Sequence, residues 1–380
     1  MAAMSKAGGA GVSALFAGGT IALLTLYVGW RQGALFLVAC CLGITLYQSG
    51  FGFSGAYRAL LVRGRVDGLR AQALMIGIAT LMFAPLLWSG EALGWDFHGA
   101  VAPLGLQLVI GAFLFGIGMQ LGGGCGSGTL FTLGGGSARM AITLVAFCVG
   151  GFWASLDWPI WTSLPSFGPL VLGERMGWLP AAGLQALALG SVWWGLRTLD
   201  HAPTRTLETK QGWLGFPWTL TTGAILLAVL NLATLVLSGG PWSITWGFTL
   251  VAAKLALTLG WDPGAHVFWQ DSFQSSALSM PLASDPVVVM DAGIVLGAMT
   301  AAIVAGRMKI TGPLRRGVVA ASIVGGLMLG YGARISFGCN VGAFFSGAAS
   351  TSLHGWVWFG AALAGNWVGI RLRPQFGLDT

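Results

Sequence analysis

Two stretches of the 380-residue chain hold a cysteine among glycines: Gly122-Gly123-Gly124-Cys125-Gly126-Ser127-Gly128 and Phe337-Gly338-Cys339-Asn340-Val341-Gly342. A thiol is a nucleophile or metal ligand when ionised and a weak hydrogen-bond donor when neutral. Glycine costs a helix about 1 kcal/mol per residue relative to alanine, so the density around Cys125 must interrupt one. A new helix starting just after each break would offer unpaired N–H groups and a partial positive charge, which suits an anion. Gly124, Gly126 and Ser127 beside the first thiol, and Gly338 and Asn340 beside the second, are therefore candidate substrate contacts. Cys40, Cys41 and Cys148 sit in plain apolar runs and read as small hydrophobes.

Other chemistry finds little support. The five cysteines have no paired spacing and form no disulfide framework. Without CxxC or HExxH, and with four histidines in all, the sequence predicts no metal site and no cofactor. The run 122–128 lacks the Gly-Lys-Ser/Thr ending of a phosphate-binding loop. Ser127 could pair only with His354, and its surroundings are not the G-x-S-x-G elbow of a hydrolase. No catalytic residue is assigned, and the chain is not read as an enzyme.

The elements that must position these thiols are membrane helices. Only 8% of residues are charged and 55% are hydrophobic, against about 25% charged in soluble domains. Nucleic-acid binding, a secreted disulfide scaffold and a cytosolic enzyme are excluded; the medium is the lipid bilayer. The net charge of +7 is the excess of basic residues that cytoplasmic loops carry. Charge-free windows run over 7–30, 32–57, 71–90, 99–138, 140–156, 176–196, 211–253, 292–306, 317–333 and 335–370. At ~20 residues per crossing they predict about ten or eleven spans, the first retained because no A-x-A cleavage pattern ends it. Windows 99–138 and 335–370 are too long for one helix, and glycine interrupts each. Backbone that is not helical at membrane depth is tolerated only where it is buried in protein or lines a polar cavity.

The two interrupted windows resemble each other. One gapless shift that carries Cys125 onto Cys339 also carries Gly116, Gly118, Gly124, Gly128 and Phe131 onto Gly330, Gly332, Gly338, Gly342 and Phe345. The chain reads as two related halves, 1–200 and 215–380, joined by a polar cytoplasmic linker at 201–214. Arg58, Arg63, Arg65 and Arg70 precede the third span and Glu91 and Asp96 follow it. In the second half, Asp262, Asp271 and Asp285 come before the matching span, and Arg307, Lys309, Arg315 and Arg316 after it. Equivalent loops then face opposite sides, which makes the repeat inverted and points to the two breaks as the substrate site. This requires one crossing plus a short non-crossing helix within 211–253.

Intramembrane polar groups need a reason. Arg139, Arg334, Lys254, Asn340, Asn366, Gln120 and Asp291 are such groups. Arg334 lies just upstream of Cys339, and Gln120 takes its place in the first half. Arg139 and Arg334 either snorkel at an interface or draw an anion toward the thiols. Trp158, Trp161, Trp178, Trp242 and Trp356 read as interfacial anchors.

At these two cysteine motifs the chain resembles the YeeE/YedE family of bacterial inner-membrane proteins, from about Gly33 to the C-terminus. The resemblance implies an hourglass of tilted helices in which short helices from two halves meet at a constriction lined by Cys125 and Cys339. It implies thiosulfate uptake, with S–H···S hydrogen bonds passing the substrate along; other members handle sulfur or selenium species. A small sulfur-carrier protein of the TusA type is an implied partner. Thiosulfate-transporting relatives have a further cysteine on the first glycine-rich element. Here Gly50-Phe51-Gly52-Phe53-Ser54-Gly55-Ala56 has none, and Ser54 is the nearest polar substitute.

The expectation is thus an all-α polytopic membrane protein with two inverted-repeat halves whose re-entrant or short helices meet at a central constriction. Its function is read as a permease for a small sulfur-containing anion, thiosulfate first. The alternatives are a sulfurtransferase-like protein passing persulfide sulfur to a cytosolic carrier, and a transporter of a related sulfur or selenium oxyanion. A path for such an anion calls for neutral thiols, since a thiolate would repel it.

Overall fold

The computed structural model describes residues 6–89, 96–198, 217–308, 310 and 312–379. The linker expected at 201–214, Glu91 and Lys309 lie outside them. The described chain is helical almost throughout. The helices are α1 (Lys6–Tyr27), α2 (Trp30–Ser49), α3 (Phe53–Arg63), α4 (Asp67–Ser89), α5 (Leu106–Gly122), α6 (Gly126–Gly134) and α7 (Ala138–Leu156). Two short helices, α8 (Trp158–Thr162) and α9 (Leu172–Met176), lead to α10 (Trp178–Thr198). Then come α11 (Leu220–Ser238), α12 (Thr245–Thr258), the short α13 (Ser272–Ser279), α14 (Pro286–Val304) and α15 (Arg316–Ile335). A π-helical segment (Asn340–Phe345), α16 (Ser346–Ala349) and α17 (Leu353–Leu372) complete the fold. Strands β1 (Pro103–Gly105) and β2 (Ser166–Pro169) form one antiparallel ribbon.

Among the described residues seven helical stretches are long and apolar enough to cross a bilayer: 30–63, 67–89, 106–134, 138–156, 220–238, 286–304 and 316–349. This is fewer than the windows suggested. Helices α10 and α17 run 21 and 20 residues, but tryptophan, glycine and polar residues dilute their aliphatic side chains. Absence of charge admits such segments; hydropathy does not. The window at 211–253 divides into the 19-residue α11 and the 14-residue α12.

The packing follows from glycine. Helices α5, α7, α15 and α17 form the centre, with α5 against α15 and α17, and α7 against α15. A Cβ on Gly116 would overlap the Ala362 carbonyl of α17, and one on Gly150 the Leu327 carbonyl of α15. Small residues let backbones approach in this way where lipid supplies no hydrophobic drive. Helices α5 and α15 run antiparallel: a Cβ on Gly111 would lie 2.8 Å from the Gly332 carbonyl oxygen, and one on Gly118 2.8 Å from that of Gly325. Outside this centre α2 packs on α14 and α11, α4 on α10 and α11, and α1 on α2 and α14.

Charge separates along the bundle. At one end Arg373 donates to the carbonyl oxygens of Gln120 and Asp379, and Arg58 to that of Asp379. The start of α15, after Arg315 and Arg316, abuts Phe376 there. At the other end Asp285 caps α14 ahead of Pro286, a residue preorganised for a first helical turn. Trp242 is buried rather than an interfacial anchor: its N–H donates to Asn231 Oδ1 at 3.1 Å and its carbonyl accepts from Ser346 at 2.8 Å.

Candidate functional site

Helix α5 stops where the glycines begin. Gly123 adopts φ 91°, a left-handed cap whose N–H returns to Met119. The carbonyls left open at such an end need donors. Arg139 supplies one to Leu121 at 2.6 Å, Thr143 one to Gly122 at 3.1 Å, and Arg373 the one on Gln120. The chain then extends through Gly124 to Cys125, which caps α6. A Cβ at Gly124 would crowd the Thr129 N–H at 3.2 Å, so the return is built for glycine.

The second break follows the same plan. Phe337 at φ 63° and Gly338 at φ 148° turn the chain after α15, and Cys339 caps the π-helical segment. Phe337 holds a backbone conformation that costs a non-glycine residue energy. Its ring packs edge-on against Trp158 at 6.0 Å.

The thiols occupy corresponding places. Cys125 Sγ accepts the Gly128 N–H at 3.4 Å and lies 3.5 Å from Ser127 Oγ; Cys339 Sγ accepts the Val341 N–H at 3.4 Å. With each sulfur accepting a backbone N–H, the S–H of Cys125 can also turn to Ser127 Oγ. Both residues are 0% exposed. The two breaks meet: a Cβ added at Gly126 would sit 3.1 Å from Cys339 Sγ and 3.4 Å from Ile244 Cγ2. Asn340, also wholly buried, donates to the Tyr57 hydroxyl at 3.2 Å, and its Oδ1 has no partner among the described residues. Tyr57 is itself buried and stands edge-on to Phe53 and Phe359.

The structure thus brings together Gly124, Cys125, Gly126, Ser127, Gly338, Cys339 and Asn340. The side chains of Ser54 and Gln120 make their hydrogen bonds elsewhere. Ser54 Oγ donates to the Met119 carbonyl at 3.1 Å, while Gln120 Nε2 donates to Asn366 Oδ1 at 2.6 Å and the Ser54 carbonyl at 3.4 Å. Arg334 stands apart as well. Its guanidinium faces the rings of Phe268, Trp158 and Trp246 at 5.0, 5.8 and 6.0 Å, and its buried Nε has no partner among the described residues. It lines a cavity of about 350 Å³ with His98, Ser243, Trp246, Gln274 and Asp285. Asp285 does not pair with it: Oδ1 accepts from the N–H groups of Val287 and Val288, and Oδ2 from Trp246 Nε1.

Three contributors were not read from the sequence. Phe268 and Trp246 carry no chemical mark that separates them from other aromatics. Tyr57 did have a signal, being one of four tyrosines and lying inside a charge-free window.

An all-helical, multi-pass membrane protein with two broken helices meeting at buried thiols is the class that this fold and site define. The chain belongs to the sulphur transport family, the YeeE/YedE group expected from its cysteine motifs; the family's profile matches residues 48–368. It is similar to a protein named thiosulfate transporter TsuA from Spirochaeta thermophila, with 27% identity over 356 residues that cover 87% of this chain and 96% of the relative. It also resembles proteins named Probable transporter YedE. The one from Escherichia coli is 30% identical over 175 residues, 44% of this chain and 42% of that protein. The Salmonella typhimurium protein is 28% identical over 173 residues, 44% of this chain and 41% of its own.

Proposed function

We propose that the chain is an inner-membrane permease for thiosulfate whose path passes between Cys125 and Cys339. The observation that carries this reading is the pair of buried capping thiols, each with its sulfur engaged by a backbone N–H. A thiosulfate dianion presents a terminal sulfur as a soft acceptor. Weak S–H contacts suit a path, because a site must release what it binds. The overall name of the Spirochaeta relative supports the same substrate. Complete burial of both thiols favours conduction over transfer of persulfide sulfur to a cytosolic partner of the TusA type, which needs an accessible sulfur.

In this reading residues 1–200 and 215–380 are inverted halves around the path. Support comes from α5 and α15. The shift that relates the cysteines carries Gly111 onto Gly325 and Gly118 onto Gly332, and the contacts Gly111–Gly332 and Gly118–Gly325 are each other's image under it. Two equivalent helices that cross antiparallel with reciprocal contacts are what a two-fold axis in the membrane plane produces. The basic end would face the cytoplasm and the Arg334 cavity the outside.

Arg334 then gathers the anion before the constriction. Hydrogen bonds to a charged group are worth about 1.5–3 kcal/mol. Arg334→Gln is expected to raise the KM of uptake about tenfold or more while leaving maximal velocity close to wild type; an unchanged KM removes Arg334 from the path.

The substrate itself is tested with radiolabelled thiosulfate in cells that lack other uptake systems. Excess unlabelled thiosulfate is expected to compete, and sulfate, sulfite and selenite to compete poorly. Sulfite or selenite competing better than thiosulfate would reassign the substrate.

A further inference from the structure

The path described above does not use Asp291. This side chain lies on α14, is 7% exposed, and has no hydrogen-bond partner on either carboxylate oxygen among the described residues. The fold makes room for it: a Cβ at Gly247 of α12 would stand 2.5 Å from its Oδ2. It is adjacent to the outer cavity, since Met290 precedes it and Val287 lies one turn earlier, and both line that cavity. Trp246, next to Gly247, lines it too.

Among the described residues no counter-charge pairs with it: Arg334, which lines the same cavity, faces the rings of Phe268, Trp158 and Trp246. Asp285 on its own helix, Cys148 of α7 and Cys339 at the second break are the titratable groups within electrostatic reach. The cation of α12, Lys254, is held by the Leu278 and Met280 carbonyls. Toward α2, the next glycine of α14, Gly293, has Ala39, Phe36 and Cys40 as its nearest neighbours. α6 begins at the Cys125 cap. Intramembrane carboxylates are rare, costly and functional by default. One without a donor or counter-ion fits this packing as the neutral acid.

We propose that Asp291 is the proton-coupling residue, so that each thiosulfate crosses together with one proton carried on this carboxyl. The inference rests on the permease reading. A dianion near Cys339 and a carboxylate charge at Asp291 repel. The anion therefore binds more tightly when Asp291 is protonated, and by linkage Asp291 holds its proton more tightly when the anion is present. Protons reach it from the cavity and leave it on the cytoplasmic side after the anion has gone. One proton with one dianion moves a net charge of −1, so the pH gradient drives uptake and an inside-negative potential opposes it.

The full-length protein, reconstituted in phosphatidylethanolamine–phosphatidylglycerol vesicles, tests this with labelled thiosulfate and the potential clamped at zero by potassium and valinomycin. With the outside one pH unit more acidic, one-to-one coupling gives about tenfold accumulation of thiosulfate. Asp291→Asn is expected to exchange internal for external thiosulfate at the wild-type rate and to accumulate none. Wild-type protein that exchanges thiosulfate without accumulating it overturns the inference and leaves the permease reading standing. Accumulation by Asp291→Asn at the wild-type level also overturns it. If wild type does not exchange thiosulfate at all, both fall. Should Asp291→Asn lose exchange, Asp291→Glu decides: accumulation retained upholds the proposal, and exchange without accumulation defeats it.

Discussion

Replacing Cys125 or Cys339 by alanine is expected to reduce thiosulfate-dependent growth to that of cells without the protein. Each thiol is one of the few polar groups at the meeting point of the two breaks, and each is a weak S–H donor there. Alanine removes the donor and also the acceptor that caps the following turn. Losing a cap costs about 0.5–2 kcal/mol with oxygen caps, and a sulfur cap should cost no more than that. Folded protein should therefore still reach the membrane, which immunoblotting at matched expression checks. Serine separates the roles. It keeps a capping acceptor but offers a harder, shorter donor, so Cys125→Ser and Cys339→Ser are expected to fold at wild-type levels and transport poorly. Full growth of both alanine variants at normal expression would remove the thiols from the mechanism.

Gly126→Val should abolish uptake by a different route. Gly126 is not in a left-handed conformation, so a side chain there introduces no backbone strain of that kind. What it introduces is bulk: its Cβ alone would stand 3.1 Å from Cys339 Sγ, and the two methyl groups beyond it extend into the same space. The variant is expected to elute as a single species destabilised by about 1–3 kcal/mol through overpacking, while its uptake falls to background. Alanine at this position should be intermediate. Normal uptake by the valine variant would mean that the path does not run between these two residues.

Much of the centre could be read from the chain because glycine carries an unambiguous physical meaning. Three consecutive glycines beside Cys125 cannot continue α5, and the break falls there. Gly111, Gly116, Gly150 and Gly325 sit within apolar helical runs, and all lie where another backbone passes. The number of crossing segments was less legible, because an uncharged run such as α10 or α17 can be rich in tryptophan and glycine. Pairings between distant segments were not legible at all. Nothing in the spacing joins Asn340 to Tyr57, or sets Phe268 against Arg334. Trp242 was misjudged for a related reason: its indole resembles that of any interfacial tryptophan, and only the loop around it, fastened by Asn231 and Ser346, makes it part of the core.

The burial of the two thiols has a chemical consequence. Oxidation of cysteine to sulfenic and higher acids follows thiolate character and exposure. At 0% exposure, Cys125 and Cys339 are shut off from a peroxide or a disulfide in the surrounding solution. The fold that buries these two thiols thereby acts as their antioxidant shield.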